Sequence, residues 1–227
     1  MRIGGIVPLS MVDYPGEPAI AIFTRGCNLR CPFCHNGELL REGEDRPLGQ
    51  VFELLRKRAG ELCAVCVSGG EPTVQAGLAD FVCEVKSLGY KVKLDTNGSK
   101  PQVLQKLLES ELLDYVAIDV KSSPDRYLKA TGGKLDFETV ARTVELVKEA
   151  AVAYELRTTA VPGLVELEDL LAIAGKFKPI ALYAVQQFRP RKTLDPQFAK
   201  HVPYDQGWFA QAKAALAAAG TVIVRGL

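Results

Sequence analysis

The chain has 227 residues, 48% of them hydrophobic and 24% charged, a composition that excludes disorder as its main state and can bury a substantial core. With 28 basic against 27 acidic side chains, the net charge of +1 offers no single-sign field to gather nucleic acid or an anionic membrane surface. No run of about 18 apolar residues is available for a membrane span. Pro8, Asp13 and Pro15 interrupt the stretch where an export signal would be apolar, so a cytoplasmic location is expected.

Short β-branched runs alternate with longer segments of helical period, the pattern of successive βα units on a parallel sheet. Strands are expected over 19–24, 63–68, 91–95, 115–120, 153–160 and 180–187. Helices are expected near 48–59, 74–88, 101–110, 136–150 and 166–176. A last helix near 205–219 stops at Gly220 and precedes a seventh apolar run, TVIVRG. A βα unit takes roughly 30 residues, so six fit this length and eight do not. The expectation is an incomplete (βα)6 parallel barrel, a partial TIM barrel, with an added C-terminal helix and strand. One domain over 1–227 is the simplest division, because neither a linker nor a fixed repeat interrupts the chain. Periodicity leaves a doubly wound open sheet as the alternative.

The first strand runs into RGCNLRCPFCHNG, which puts Cys27, Cys31 and Cys34 on the loop at its carboxyl end, the active-site edge of parallel α/β folds. Without an export signal, such crowding points to metal binding before disulfides. Three thiolates on one loop can hold three irons of a cubane, leaving the fourth iron open to a chelating substrate. The plainer reading is a structural zinc site built from the same cysteines with His35 or a remote ligand. Cys63 and Cys66, on a strand-like run, and Cys83, on a helix, read as small core residues.

The later strands end in polar residues. SGGEP, Ser68 to Pro72, carries two glycines that let backbone approach a ligand; an ordinary strand-to-helix turn is the alternative. LDTNG brings Asp95, Thr96 and Asn97 to one edge, suited to ribose hydroxyls or a small cation, although Asn97-Gly98 is also a turn signal. In AIDVKS, Asp119 and Lys121 alternate with apolar residues and point to one face, inward in a barrel. A buried unpaired charge is costly, so they are expected to meet each other or a charged ligand. Arg157 on the fifth strand suits a carboxylate, or else a surface ion pair.

The C-x3-C-x2-C spacing, with Phe33 before the last cysteine, resembles the radical S-adenosylmethionine superfamily. The string CNLRCPFCHN over 27–36 is similar in particular to activating enzymes of glycyl-radical enzymes, those of anaerobic ribonucleoside-triphosphate reductase and of pyruvate formate-lyase. That resemblance implies a 4Fe-4S cluster on Cys27, Cys31 and Cys34, with Phe33, His35 and Asn36 beside it. It also implies S-adenosyl-L-methionine as cosubstrate, its amino group held by Gly69, Gly70 and Glu71 with Gly70 the most direct contact. Asp95, Thr96, Asn97, Asp119, Lys121 and Arg157 would then surround its ribose and carboxylate. Gln187 stands where pyruvate formate-lyase activase has a histidine near the adenosine, a departure from that pattern.

The activity so implied is reductive cleavage of S-adenosylmethionine to a 5′-deoxyadenosyl radical, which takes hydrogen from a glycine of a partner glycyl-radical enzyme. The electron would come from a flavodoxin- or ferredoxin-like donor. A radical enzyme acting on a small molecule, an iron-sulfur electron carrier and a zinc-stabilised binding module are the competing readings. The basic stretch RPRKT, 189–193, could meet a partner or simply be solvated.

Overall fold

The computed structural model describes residues 1–227. Eight strands form one sheet in chain order: β1 (Ile3–Ser10), β2 (Ala19–Thr24), β3 (Ala64–Gly69), β4 (Lys91–Thr96), β5 (Tyr115–Asp119), β6 (Ala153–Ala160), β7 (Ile180–Gln187) and β8 (Gly220–Arg225). Only the β1–β2 pair is antiparallel; the other six pairs are parallel. The outermost strands, β1 and β8, do not pair with each other, so the barrel is open on one side.

The helices are α1 (Leu48–Arg58), α2 (Leu78–Ser87), α3 (Pro101–Glu109), α4 (Tyr127–Ala130), α5 (Phe137–Glu149), α6 (Leu167–Phe177) and α7 (Gln206–Leu216). Strands β2 to β7 are thus the six expected parallel strands, and α7 and β8 are the C-terminal helix and strand. None of the helices is long and apolar enough to cross a membrane.

Alternation along the strands separates two environments. One face, including Ile20, Ile22, Val65, Val67, Val92, Leu94, Val116 and Ile118, is fully buried. It packs in one cluster with helix residues such as Leu55, Phe81, Val85, Leu104, Val144 and Leu170. The other face carries small residues on β2 and β3 (Ala19, Ala21, Ala64, Cys66, Ser68) and charged residues on β4 to β6 (Lys93, Asp95, Asp119, Glu155, Arg157). Small side chains leave space inside the half-barrel, and the charges line it. Tyr14 and Tyr115 pack with Ala19 and Ala64 in a separate apolar cluster.

Three expectations need correction. β1 was not foreseen, because Gly4, Gly5 and Pro8 weaken its strand signal and its exposed residues hide any alternation. Cys63 lies just before β3 and is exposed, as is Cys83, so only Cys66 of the three is a core residue. Cys83 falls off the Leu78, Phe81, Val82, Val85 stripe by which α2 docks.

Candidate active site

The segment after β2 is held by backbone on both sides. Gly26 N–H donates to Leu39 O at 2.8 Å, Arg25 N–H to Arg2 O at 2.9 Å, and Glu71 N–H to Gly26 O at 2.9 Å. The Arg25 guanidinium pairs with Asp45 and donates to the carbonyls of Glu38, Arg41 and Glu44, which fastens the return of the cysteine loop.

Cys31 is buried and Cys27 and Cys34 are partly so; all are free thiols. Burial pushes the Cys31 thiol up to about 12 and that of Cys27 upward, so metal binding must displace their protons. Cys27 Sγ already accepts from the Leu29 N–H at 3.4 Å, and Asn97 Nδ2 lies 3.8 Å away. No three His, Cys, Asp or Glu side chains converge as ligands of one metal ion, as a tetrahedral zinc site requires. A cubane asks for less convergence, because each thiolate binds a different iron.

Gly69 and Gly70 lie against this loop through backbone alone. A Cβ on Gly70 would fall 1.9 Å from Gly26 O, and Gly69 adopts φ +107°. Only glycine permits this contact. The adjacent Glu71 turns inward: its carboxylate accepts from Thr73 N–H and Oγ1, Thr96 Oγ1 and Asn97 N–H, fixing the end of β3 to the end of β4. Burial raises its pKa, against the pull of those donors. Thr96 and Asn97 are therefore partly engaged, although Asn97 Nδ2 still reaches Asn28 Oδ1 at 3.1 Å.

On the next strands the charges form a chain. Arg157 bridges two carboxylates, Nη1 to Asp95 Oδ2 at 2.9 Å and Nε to Asp119 Oδ1 at 2.7 Å. The β5–β6 register sets Asp119 opposite Arg157. Lys93 pairs with Asp95, Lys121 Nζ lies 3.0 Å from Asp119, and Ser68 Oγ donates to Asp95 at 2.9 Å. Burial opposes ionisation of Asp95 and Asp119, but Arg157 and the lysines outweigh it and hold both carboxyls below their usual range. Asp119 and Lys121 thus find each other, as their alternation implied.

Other expected residues lie apart from this set. Phe33 is buried in the core, Asn36 Nδ2 sits 3.5 Å from Gly69 O, and His35 is exposed. Gln187 donates to Tyr204 O at 2.9 Å, and its Oε1 is buried without a partner. Inside the half-barrel is a cavity of about 200 Å³ whose lining includes Asp13, Lys93, Glu155, Arg157 and Arg225. Arg225 makes a forked pair with Glu155 at 2.9 and 2.6 Å. Lys93 was missed in the sequence, yet KVKLD carries the same alternation as DVK and so held the signal.

Several proteins share this sequence and architecture. A Methanocaldococcus jannaschii protein, provisionally named a glycyl-radical enzyme activating enzyme, is 38% identical over 207 residues, covering 87% of this chain and 84% of its own. A pyruvate formate-lyase-activating enzyme of Streptococcus mutans is 30% identical over 194 residues, covering 78% and 71%. Among solved structures, Streptococcus suis SuiB bound to S-adenosylmethionine superimposes with a TM-score of 0.70 at 16% identity, over 88% of this chain and 48% of SuiB. This chain therefore spans about half of SuiB, and the likeness concerns the fold. The pattern of the radical SAM superfamily matches residues 21–174, more than half of the chain. With three cysteines on the first parallel βα loop of a half-open barrel and that match, the chain belongs to the radical SAM superfamily.

Proposed function

We propose that this protein is an activating enzyme: with a 4Fe-4S cluster on Cys27, Cys31 and Cys34, it reductively cleaves S-adenosylmethionine and uses the 5′-deoxyadenosyl radical to take hydrogen from a glycine Cα of a partner glycyl-radical enzyme. The partner would be of the anaerobic ribonucleotide reductase or pyruvate formate-lyase type, and the reductant a flavodoxin- or ferredoxin-like protein. When bound, such a cluster supplies one electron and one iron free of protein ligands, on which the cosubstrate's amino and carboxylate groups can chelate.

The chain's own residues do the rest. The Gly70 N–H is spent on Thr24 O at 2.8 Å, and with no Cβ in the way the Gly69-Gly70 backbone lies against the cysteine loop, so its carbonyls are what can accept from the methionyl amino group there. Lys121, 3.0 Å from Asp119, carries positive charge that suits a carboxylate ligand and opposes, without outweighing, the burial that raises the Cys31 thiol. Asp95, Asn97 and Asp119 offer acceptors and an amide for ribose hydroxyls. Arg157 fixes both carboxylates in one orientation. No general base is called for, and His35 is left without an acid–base role.

The observation that carries this reading is the juxtaposition of three free cysteines, a glycine pair fitted to their loop and the Asp95–Arg157–Asp119–Lys121 chain on the same strand ends. A protein substrate is supported by the names of the similar proteins and by the open side between β1 and β8. The test is anaerobic incubation of reconstituted protein, S-adenosylmethionine and reductant with candidate glycyl-radical enzymes. A glycine-centred electron paramagnetic resonance signal is expected. Efficient conversion of a metabolite with no such signal would favour a small-molecule substrate.

A further inference from the structure

The edge strands that leave the barrel open border a face of uneven composition. Along β1 and the turn after it, Val7, Leu9, Met11 and Val12 are 40%, 50%, 70% and 84% exposed. They are four of the chain's nine exposed large apolar side chains, gathered within six residues, whereas the other five are scattered. Single exposed apolar residues are ordinary, but a contiguous group marks an interaction site. The turn that presents them is anchored, because Tyr14 packs on Tyr115 with ring centroids 5.8 Å apart and Glu17 pairs with Lys91.

The other border is basic. Arg189 lies against the end of β8, its Nη2 3.7 Å from where a Cβ of Gly226 would stand. From there the RPRKT segment crosses to the cysteine loop. Lys192 faces Glu38 at 3.9 Å, Leu194 reaches 3.6 Å from a Cβ placed on Gly37, and Asp195 N–H donates to Pro32 O at 2.9 Å. The turn at 37–40 in turn meets the start of β1, where a Cβ on Gly4 would fall 2.6 Å from Leu39 Cδ2. The segment therefore spans the gap between β8 and β1 at the carboxyl edge, with Arg189 and Arg191 exposed and outside any ion pair. Both borders reach the same cavity: Val12, Asp13 and Pro15 line it from the β1 side and Gln186 and Arg225 from the β7–β8 side, with Arg157 within. A chain segment seated on this face thus has a way in to the residue that holds Asp95 and Asp119.

We infer that this face is the docking surface for the protein substrate, and that the partner's surface around its glycine is apolar where it meets β1 and acidic where it meets residues 189–192. The inference rests on the activating-enzyme reading above. A small molecule would occupy the cavity and leave Leu9 and Met11 in water. A second copy joined through the same face about a two-fold axis would bring the same unpaired arginines and no acids to match them. In such an interface the apolar side chains act as anchors that slow dissociation, and the rim arginines steer association in a salt-dependent way.

The test uses the full chain with two double variants, Leu9→Ser with Met11→Ser and Arg189→Glu with Arg191→Glu, all at exposed positions. Both should melt with wild type. After anaerobic reconstitution, both should form 5′-deoxyadenosine with dithionite at the wild-type rate when no partner is present. The partner is the candidate glycyl-radical enzyme that gives the strongest glycine-centred signal with wild type, supplied below saturation. There the serine pair should slow radical formation by about tenfold or more at any salt concentration. The glutamate pair should slow it by a similar factor at low salt and approach wild type at high salt, where the charges are screened. Undiminished radical formation by the serine pair overturns the inference, and a glutamate pair that matches wild type at low salt overturns the acidic complement. Slower cosubstrate cleavage without partner also overturns it, since the residues would then act on the site itself. So does light scattering that shows a dimer for wild type and a monomer for the serine pair, which would assign the face to self-association. If wild type raises no glycine signal in any candidate, the activating-enzyme reading itself has failed, and the docking assignment falls with it.

Discussion

Replacing Arg157 with methionine keeps most of the apolar stem and removes the one group that touches both Asp95 and Asp119. The guanidinium is 12% exposed, against 8% for Asp95 and 26% for Asp119. Breaking a buried pair by deleting one partner costs about 3–5 kcal/mol. Here Lys93 remains on Asp95 and Lys121 on Asp119, so the lower end, about 3 kcal/mol, is expected at neutral pH. For a chain of this size that corresponds to a fall in Tm of about 6–12 °C. Both carboxyls are depressed in the folded state, so their stabilisation is complete above the unfolded carboxylate pKa of about 3.9 and drains away as pH falls toward the folded values. The gap in Tm between wild type and Arg157→Met should therefore narrow as the pH is lowered from 5. Anaerobic calorimetry across that range is the assay. A fall below about 2 °C at neutral pH, or a gap that stays constant into acid, would refute the view that Arg157 ties the two carboxylates.

Four further outcomes follow from the geometry. Cys27→Ala, Cys31→Ala and Cys34→Ala should each fail to hold a four-iron cluster, read by iron assay and visible absorbance, whereas Cys63→Ser and Cys83→Ser, both exposed, should load normally and stay within about 0.5 kcal/mol of wild-type stability. Gly70→Ala forces backbone apart where 1.9 Å is available, and binding of S-adenosylmethionine by equilibrium dialysis should weaken by at least tenfold, about 1.4 kcal/mol. Glu71→Gln turns an acceptor into a donor facing other donors; urea denaturation should show a loss of about 1–3 kcal/mol. Asp119→Asn keeps the shape but removes the charge paired with Lys121 and Arg157, and its stability should lose the acid dependence assigned to that carboxyl.

Much of this organisation was legible because local patterns carried it. Six apolar runs at βα spacing dictated the parallel strands, and the alternation in AIDVKS dictated that Asp119 and Lys121 share a face. Other features depend on partners distant in sequence. The strand Ile3–Ser10 is held by pairing with β2 and carries glycines and a proline that read as loop. The role of Glu71 in tying β3 to β4 emerges only when chain segments meet. Burial misassigned Cys63 and Cys83 because cysteine in an apolar run is usually core, whereas these two lie at a strand's edge and off a helix's docking stripe.

The most direct measurement is chromatographic detection of 5′-deoxyadenosine after wild type and Cys31→Ala, each carried through anaerobic reconstitution, are given S-adenosylmethionine and dithionite. The expected result is nucleoside formed with wild type and none with the variant. Undiminished formation by Cys31→Ala, or none from wild type holding a complete four-iron cluster, would contradict the assignment.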